Sequence, residues 1–207
     1  MTNATGKFDE HLRALLEVMA QDGIGRAAEG FSSMMGKKVT VTQPRARLVP
    51  FAELPYALGG PENEAVGIYL QMQGEMTGQV MLALPYGKAL ELVDLIMEQP
   101  TGTTQQLGSL ERSALAEVGN ITTSFFLNAI AASRGLDVRP SPPAVIVDMI
   151  GAIVDVIVAT GGGVREQILL LEAEFTCEGR SVEASFWIIP DPATLERFSR
   201  QEPGDGR

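Results

Sequence analysis

The sequence predicts an α+β fold in which one domain contains two similar halves, each with the order helix, strand, helix, strand, strand, helix. Helical and strand-like periodicities alternate along the 207 residues, and the same order begins again after about one hundred residues. A hydrophobic content of 45% with 20% charged residues is typical of a globular chain. We therefore expect a single pseudo-twofold domain over residues 1–207, with repeats at about 8–98 and about 109–200.

The first repeat begins with an amphipathic helix from about Phe8 to Met35, because its apolar residues recur at a spacing near 3.6. Gly36 follows as a helix stop signal. The alternation of polar and apolar residues at 38–42 predicts a half-buried strand that Pro44 ends. A short helix at about 52–58 is expected next.

The remainder of the first repeat predicts a hairpin and a helix. The strands at 65–73 and 78–84 are separated by a tight turn at 74–77 that contains a glycine. The helix predicted at 86–98 has apolar residues spaced for one buried face, and the polar stretch 100–108 is expected to connect the repeats.

The second repeat predicts a long helix at about 109–134, which Gly135 ends. A strand-like stretch at 136–139 follows, and the apolar run 145–160 predicts a buried helix. Two strands at 167–176 and 180–189 then predict a second hairpin.

A closing helix is predicted at 193–200. An internal duplication is the economical explanation for this recurrence, and three pairs of landmarks support it. The pairs are Gly36 with Gly135, Gly74 with Gly179, and Pro85 with Pro190.

The composition excludes several classes of function. The formal net charge is −10 and the pI is about 4.6, so nucleic acid and anionic membranes are poor partners for this chain. Asp148 and Asp155 interrupt its longest apolar run, which is too short for a membrane span. A single cysteine, Cys177, cannot form an internal disulfide, and a cytoplasmic location is therefore expected.

The most informative stretch lies in the predicted helix 109–134. Ser113, Glu117 and Asn120 stand at i, i+4 and i+7, so a hydroxyl, a carboxylate and a carboxamide share one face of the helix. Gly119 and Asn120 are both poor residues for a helix interior. A purely structural helix would rarely need both, and the pattern therefore indicates a functional face.

These residues resemble a known family signature. The spacing Ser113-x3-Glu117-x2-Asn120, followed after twenty-one residues by Pro142, is similar to the active-site pattern of the CheC, CheX and FliY phosphatases of chemotaxis. That pattern is Asp or Ser, three residues, Glu, two residues, Asn, twenty-one residues, Pro. The predicted duplication also resembles the twofold-repeated fold of this family, so the resemblance covers nearly the whole chain.

The resemblance implies hydrolysis of the aspartyl phosphate of a CheY-like receiver domain. By analogy, Asn120 would orient the attacking water, Glu117 would engage the receiver's active-site lysine, and Ser113 would support them. No metal or cofactor of its own is expected, since the chain has no cluster of Cys and His residues with metal-ligand spacing. The Mg²⁺ ion is expected on the receiver.

The family often has a second copy of the site in its first repeat, and this chain departs from that pattern. Glu17 is followed three residues later by Ala20, whereas alignment backwards from Gly36 places Val18 and Gln21 at the Glu and Asn positions. Either alignment loses the pair. We prefer the second alignment and predict that the first site is degenerate.

Loss of one site leaves a second function open. In this alternative the chain is a non-catalytic docking or scaffold protein for a receiver domain, or for a CheD-like deamidase of the kind that the family binds. A flagellar switch component similar to FliY is a third hypothesis, although such proteins have a further C-terminal domain.

Overall fold

A computed structural model of the protein describes residues 10–160 and 167–194, which form one antiparallel sheet with helices on both of its faces. The strands are β1 Val39–Pro50, β2 Glu64–Gly74, β3 Gly78–Pro85, β4 Val138–Pro140, β5 Ala144–Met149, β6 Gln167–Cys177 and β7 Arg180–Pro190. The helices are α1 Glu10–Met35, α2 Leu54–Ala57, α3 Tyr86–Ile96, α4 Ser109–Arg134 and α5 Ile150–Thr160.

The strand order across the sheet is β1-β6-β7-β3-β2-β4, and β5 pairs with β2 beyond the end of β4. The hairpins β2–β3 and β6–β7 lie side by side in the centre, and each edge is formed by the strand segments that follow a long helix. If each strand is identified by its place within its predicted repeat, the strand order is the same from either edge of the sheet.

The two faces of the sheet carry different helices. Alternating side chains of each strand point to opposite faces, and on β7 Phe186 and Ile188 join the core under α1, α3 and α4. Their neighbours Trp187 and Ile189 join the second core, which α2 and α5 cover. The long helices therefore lie together on one face.

Most of the predicted elements are confirmed. Both long helices, the short helix, both hairpins and α3 lie within a few residues of the predicted bounds. Gly36 and Gly135 end α1 and α4 in the left-handed conformation, with φ angles of 61° and 63°. Residues 192–194 are helical, and the rest of the predicted closing helix lies outside the described residues.

The prediction of one helix over 145–160 is wrong. Residues Ala144–Met149 form β5, which pairs with β2 from Tyr69 to Glu64, and α5 begins only at Ile150. An apolar run contains no period that separates a buried strand from a buried helix. The β-branched residues at 145–147 suit the pleated edge of a sheet, and their pairing with β2 decides between the two structures.

The prediction that Pro44 ends the first strand is also wrong, since β1 continues to Pro50. The register shifts between Thr42 and Arg45, so Pro44 lies in a bulge. β1 is an edge strand whose pairing is with β6 alone in the described sheet. Edge strands and bulges accommodate proline because its missing N–H leaves no ladder bond unmade.

The two long helices pack closely through glycines of α1. A Cβ atom on Gly23 would lie 2.4 Å from the ring of Phe126, and one on Gly30 would lie 2.4 Å from the ring of Phe125. The absence of a side chain at these positions lets the phenylalanines of α4 approach the backbone of α1.

Among the described helices, we find none that combines the length and the hydropathy of a membrane span.

Candidate functional site

The helix that carries the predicted site, α4, is 26 residues long and is anchored by one apolar face. Leu115, Val118 and Phe126 on this face are buried in the main core. Glu111 lies in the first turn, where its negative charge interacts favourably with the helix dipole. Gly135 ends the helix, and its N–H donates a hydrogen bond to the Ala131 carbonyl.

Gly119 brings α4 close to the sheet. It is buried, and a Cβ atom at this position would lie 2.4 Å from Cγ2 of Ile68 on β2. Close packing of α4 on β2 therefore explains the glycine at this position. The sequence alone suggests a functional reason for it instead. Asn120 is half-buried, and it is the residue of this pair that keeps a functional interpretation.

The structure brings the three predicted site residues to one face of α4. Glu117 and Ser113 are exposed and Asn120 is half-buried, and residues three or four positions apart on a helix are neighbours in space. Within 10–160 and 167–194, no hydrogen bond or ion pair occupies these three side chains. A carboxylate and a carboxamide are therefore free to contact another molecule.

Pro142, the fourth position of the signature, lies in the break between β4 and β5. Ile68, which Gly119 contacts, pairs with Val145 of β5, so α4 crosses the β2–β5 pair close to this break. Ser141 fixes the break to β2, because its N–H donates to the Gln71 carbonyl over 2.8 Å and its Oγ accepts from the Gln71 N–H over 2.9 Å. The twenty-one residues between Asn120 and Pro142 thus lead from α4 to the edge of the sheet that lies beside this helix.

A buried carboxylate holds the connection that leads into α4. Asp94 is 1% exposed, and its two oxygens accept backbone N–H bonds from Gly102, Thr103 and Thr104 over 2.7, 3.1 and 2.8 Å. Burial alone would raise the pKa of Asp94, but hydrogen bonds from the side chain and backbone of Thr104 and from the other two N–H groups outweigh burial and lower it.

The sequence predicts only a polar connection at 100–108, and the role of Asp94 is not evident from it. An aspartate followed by a stretch of Pro, Thr and Gly is the available signal, because a carboxylate often accepts backbone N–H bonds in such loops. Further along, the Tyr86 hydroxyl accepts from the Leu107 N–H over 3.3 Å, and Arg112 Nε donates to the Leu107 carbonyl over 3.2 Å. The start of α4 is therefore fixed to α3.

The degenerate site predicted in the first repeat lies on α1. Val18 and Gln21 are within this helix, but their side chains lie outside the described residues. Across 10–160 and 167–194, the His, Cys, Asp and Glu side chains form no group that could hold a metal ion.

Comparisons with known proteins include a match to this region. A family model described as the CheC-like family matches residues 110–147, which contain Ser113, Glu117, Asn120 and Pro142. The CheY-P phosphatase CheC of Bacillus subtilis is 27% identical over 202 residues, which cover 96% of both chains. CheC1 of Halobacterium salinarum is 26% identical over 186 residues, covering 84% of this chain and 87% of its own.

The fold is similar to that of a solved structure. Thermotoga maritima FliY superimposes with a TM-score of 0.74 at 17% identity, covering 92% of this chain and 95% of its own. The chain therefore has a mixed α+β fold similar to that of FliY. The chain is thus similar to the CheC-like family at residues 110–147, and it is similar to CheC along nearly its whole length.

Proposed function

We propose that the protein is a phosphatase that hydrolyses the aspartyl phosphate of a CheY-like response regulator. The observation that carries this proposal is the free pair Glu117 and Asn120, which projects from one face of α4 inside the segment that matches the CheC-like family. The similar protein of Bacillus subtilis is named a CheY-P phosphatase, which supports the same reaction here.

In this proposal Asn120 positions the attacking water. Its carboxamide has both an acceptor oxygen and N–H donors, so it can bind a water while contacting a phosphoryl oxygen. The water oxygen attacks phosphorus, the bond from phosphorus to the aspartyl oxygen breaks, and inorganic phosphate and a free aspartate result. Phosphoryl transfer depends mainly on alignment and charge stabilisation, so a neutral amide is sufficient for this role.

Glu117 sets the docking register. An exposed carboxylate one turn from Asn120 can pair with a cation of the partner, and the lysine of the receiver's active site is the cation that the family resemblance implies. The receiver also supplies the Mg²⁺ ion, and the phosphatase contributes no cofactor of its own. Ser113, one turn before Glu117, supports the pair as a neutral neighbour.

We also infer that the domain contains two repeats and one working site. The symmetric strand order and the left-handed glycine that ends both α1 and α4 support a duplication. Counting back from Gly36 and Gly135 places Val18 opposite Glu117 and Gln21 opposite Asn120. A valine cannot pair with a lysine, so the first site is expected to be inactive.

The proposed substrate also implies a setting. A receiver domain of a two-component system places the reaction in the cytoplasm, and a CheD-like deamidase is a candidate second partner by the family resemblance. These partners do not require the nucleic-acid or membrane contacts that the acidic composition disfavours.

The proposal is tested by adding catalytic amounts of the protein to a CheY-like receiver phosphorylated by a small phosphodonor. Phosphate release should exceed spontaneous hydrolysis through many turnovers, and a Glu117→Ala/Asn120→Ala double variant should remove the excess. No acceleration by the wild-type protein, in the presence of measurable binding, would instead support the scaffold function.

A further inference from the structure

An exposed leucine lies at the start of the helix that carries the proposed site. Leu110 is in the first turn of α4 and is 61% exposed, whereas Leu107 just before the helix is buried. Leu110 is one of few large apolar side chains that the described part of the chain leaves exposed. These side chains are Tyr56, Leu110, Phe125 and Met149.

Leu110 shares the face of Glu117. Seven residues on a helix cover about 700°, so the two side chains point in directions about 20° apart, two turns from each other. Ser113 and Asn120 lie on one side of the line along the helix surface that joins Leu110 to Glu117. All four side chains therefore project from α4 toward the same contacting surface.

The other side of the same line is apolar. Ala114 and Ile121 are half-buried on α4, and at about 100° per residue both point within about 40° of Leu110. The face thus has a polar margin with Ser113 and Asn120, an apolar margin that starts at Leu110, and one negative charge at Glu117.

We propose that Leu110 is the apolar anchor by which α4 positions the receiver domain. This inference rests on the proposed function and adds a requirement on the partner surface. At about 1.5 Å per residue, Leu110 lies about 10 Å along the helix from Glu117. The receiver that fits this face has an apolar patch about 10 Å from the lysine that pairs with Glu117.

The chemistry of the face agrees with this occupant. One carboxylate between a hydrogen-bonding margin and an apolar margin complements a surface with a cation, a polar pocket and an apolar patch. Interface energy concentrates in a few apolar anchors beside such polar groups. Leu110 acts on positioning and does not touch the reacting atoms, so its loss should change KM rather than kcat.

The experiment compares Leu110→Ala with Tyr56→Ala in the full chain. Tyr56 is equally suited as an exposed apolar residue, but it lies on α2, which covers the opposite face of the sheet. Binding to a receiver loaded with beryllofluoride as a phosphoryl mimic is measured by calorimetry, and KM and kcat are measured with the phosphorylated receiver. Leu110→Met tests whether an apolar side chain of similar volume restores binding.

Leu110→Ala should weaken binding and raise KM by about tenfold while kcat changes by less than about twofold. Tyr56→Ala and Leu110→Met should bind like the wild-type protein. Unchanged binding by Leu110→Ala, or an equal loss in Tyr56→Ala, would overturn the inference while leaving the phosphatase proposal intact. Binding that depends on Leu110 without any catalysis would support the anchor and overturn the phosphatase, and a wild-type protein that does not bind would overturn both.

Discussion

α1 and α4 have the same frame but different surfaces. Each lies on the same face of the sheet, and each ends at a glycine in the left-handed conformation. Counted back eighteen and fifteen residues from these glycines, α4 has Glu117 and Asn120, whereas α1 has Val18 and Gln21. The two helices thus share a face of the sheet and a stop signal but differ in the residues at these positions.

The edge strands extend the same comparison. β1 is continuous over 12 residues and contains a bulge, whereas residues 138–149 on the other edge form β4 and β5 with a break at 141–143. Pro142 lies in this break, beside the strand pair that α4 crosses. The edge that follows α4, the helix with the proposed site, is therefore more interrupted than the edge that follows α1.

The strongest test of the difference between the helices is a pair of amide removals. Asn120→Ala should lower the dephosphorylation rate by about 100-fold, because the water loses its positioning group, whereas Gln21→Ala should leave the rate within about twofold of wild type. Rates are followed by phosphate release from a phosphorylated receiver. An equal loss of rate in both variants would mean that α1 also contributes to catalysis, which contradicts a single working site on α4.

The connection at 100–108 that leads into α4 can be destabilised by a substitution that leaves α1 unchanged. Asp94→Asn should lower the free energy of unfolding by about 2 kcal/mol at pH 7, because charge-assisted bonds to backbone N–H groups are weakened. Urea unfolding checks this value, with Asp155→Asn on the exposed side of α5 as the control.

The effect of Asp94 should depend on pH. Its pKa is lower in the folded protein than the value of about 3.9 in an unfolded chain. The carboxylate therefore contributes stability above about pH 4, and this contribution is lost as the pH falls through the folded-state pKa. A difference between Asp94→Asn and wild type that is equally large at pH 7 and at the acid end would contradict this account.

The charge on α4 is tested by Glu117→Gln, which keeps the shape of the side chain. KM should rise by about tenfold with a smaller change in kcat, and the salt dependence of KM should weaken, because the variant loses an ion pair with the partner. Glu183→Gln, an exposed carboxylate on β7, is the control. If Glu183→Gln raises KM equally, the effect reflects net charge rather than docking.

The smallest effect compares two glycines in the long helices. Gly25 on α1 has no atom within 4 Å of an added Cβ, whereas an added Cβ on Gly119 would lie 2.4 Å from Ile68. Gly25→Ala should stabilise the protein by up to about 1 kcal/mol through helix propensity. Gly119→Ala should destabilise it by about 1 kcal/mol, since crowding exceeds that gain. Urea midpoints measure both, and stabilisation by both variants would contradict close packing of α4 on β2.

The periodic elements and the candidate pair could be predicted because local pattern determines them. Leu115 and Val118 mark the buried face of α4, and this leaves Glu117 and Asn120 on the free face. The run 145–160 could not be divided from its sequence, because pairing with β2 decides where β5 ends. The exposure of Leu110 and the bonds of Asp94 also depend on residues distant in the chain, and their residue types alone do not report them.

The prolines at the two edges of the sheet also affect how the chain behaves in a crowded solution. Pro44 lies in the bulge of β1, and Pro142 and Pro143 interrupt the opposite edge between β4 and β5. Proline offers no N–H to an incoming strand, and a bulge or break prevents a long continuous template. Both borders of the sheet therefore resist strand addition, which disfavours fibril growth by this chain.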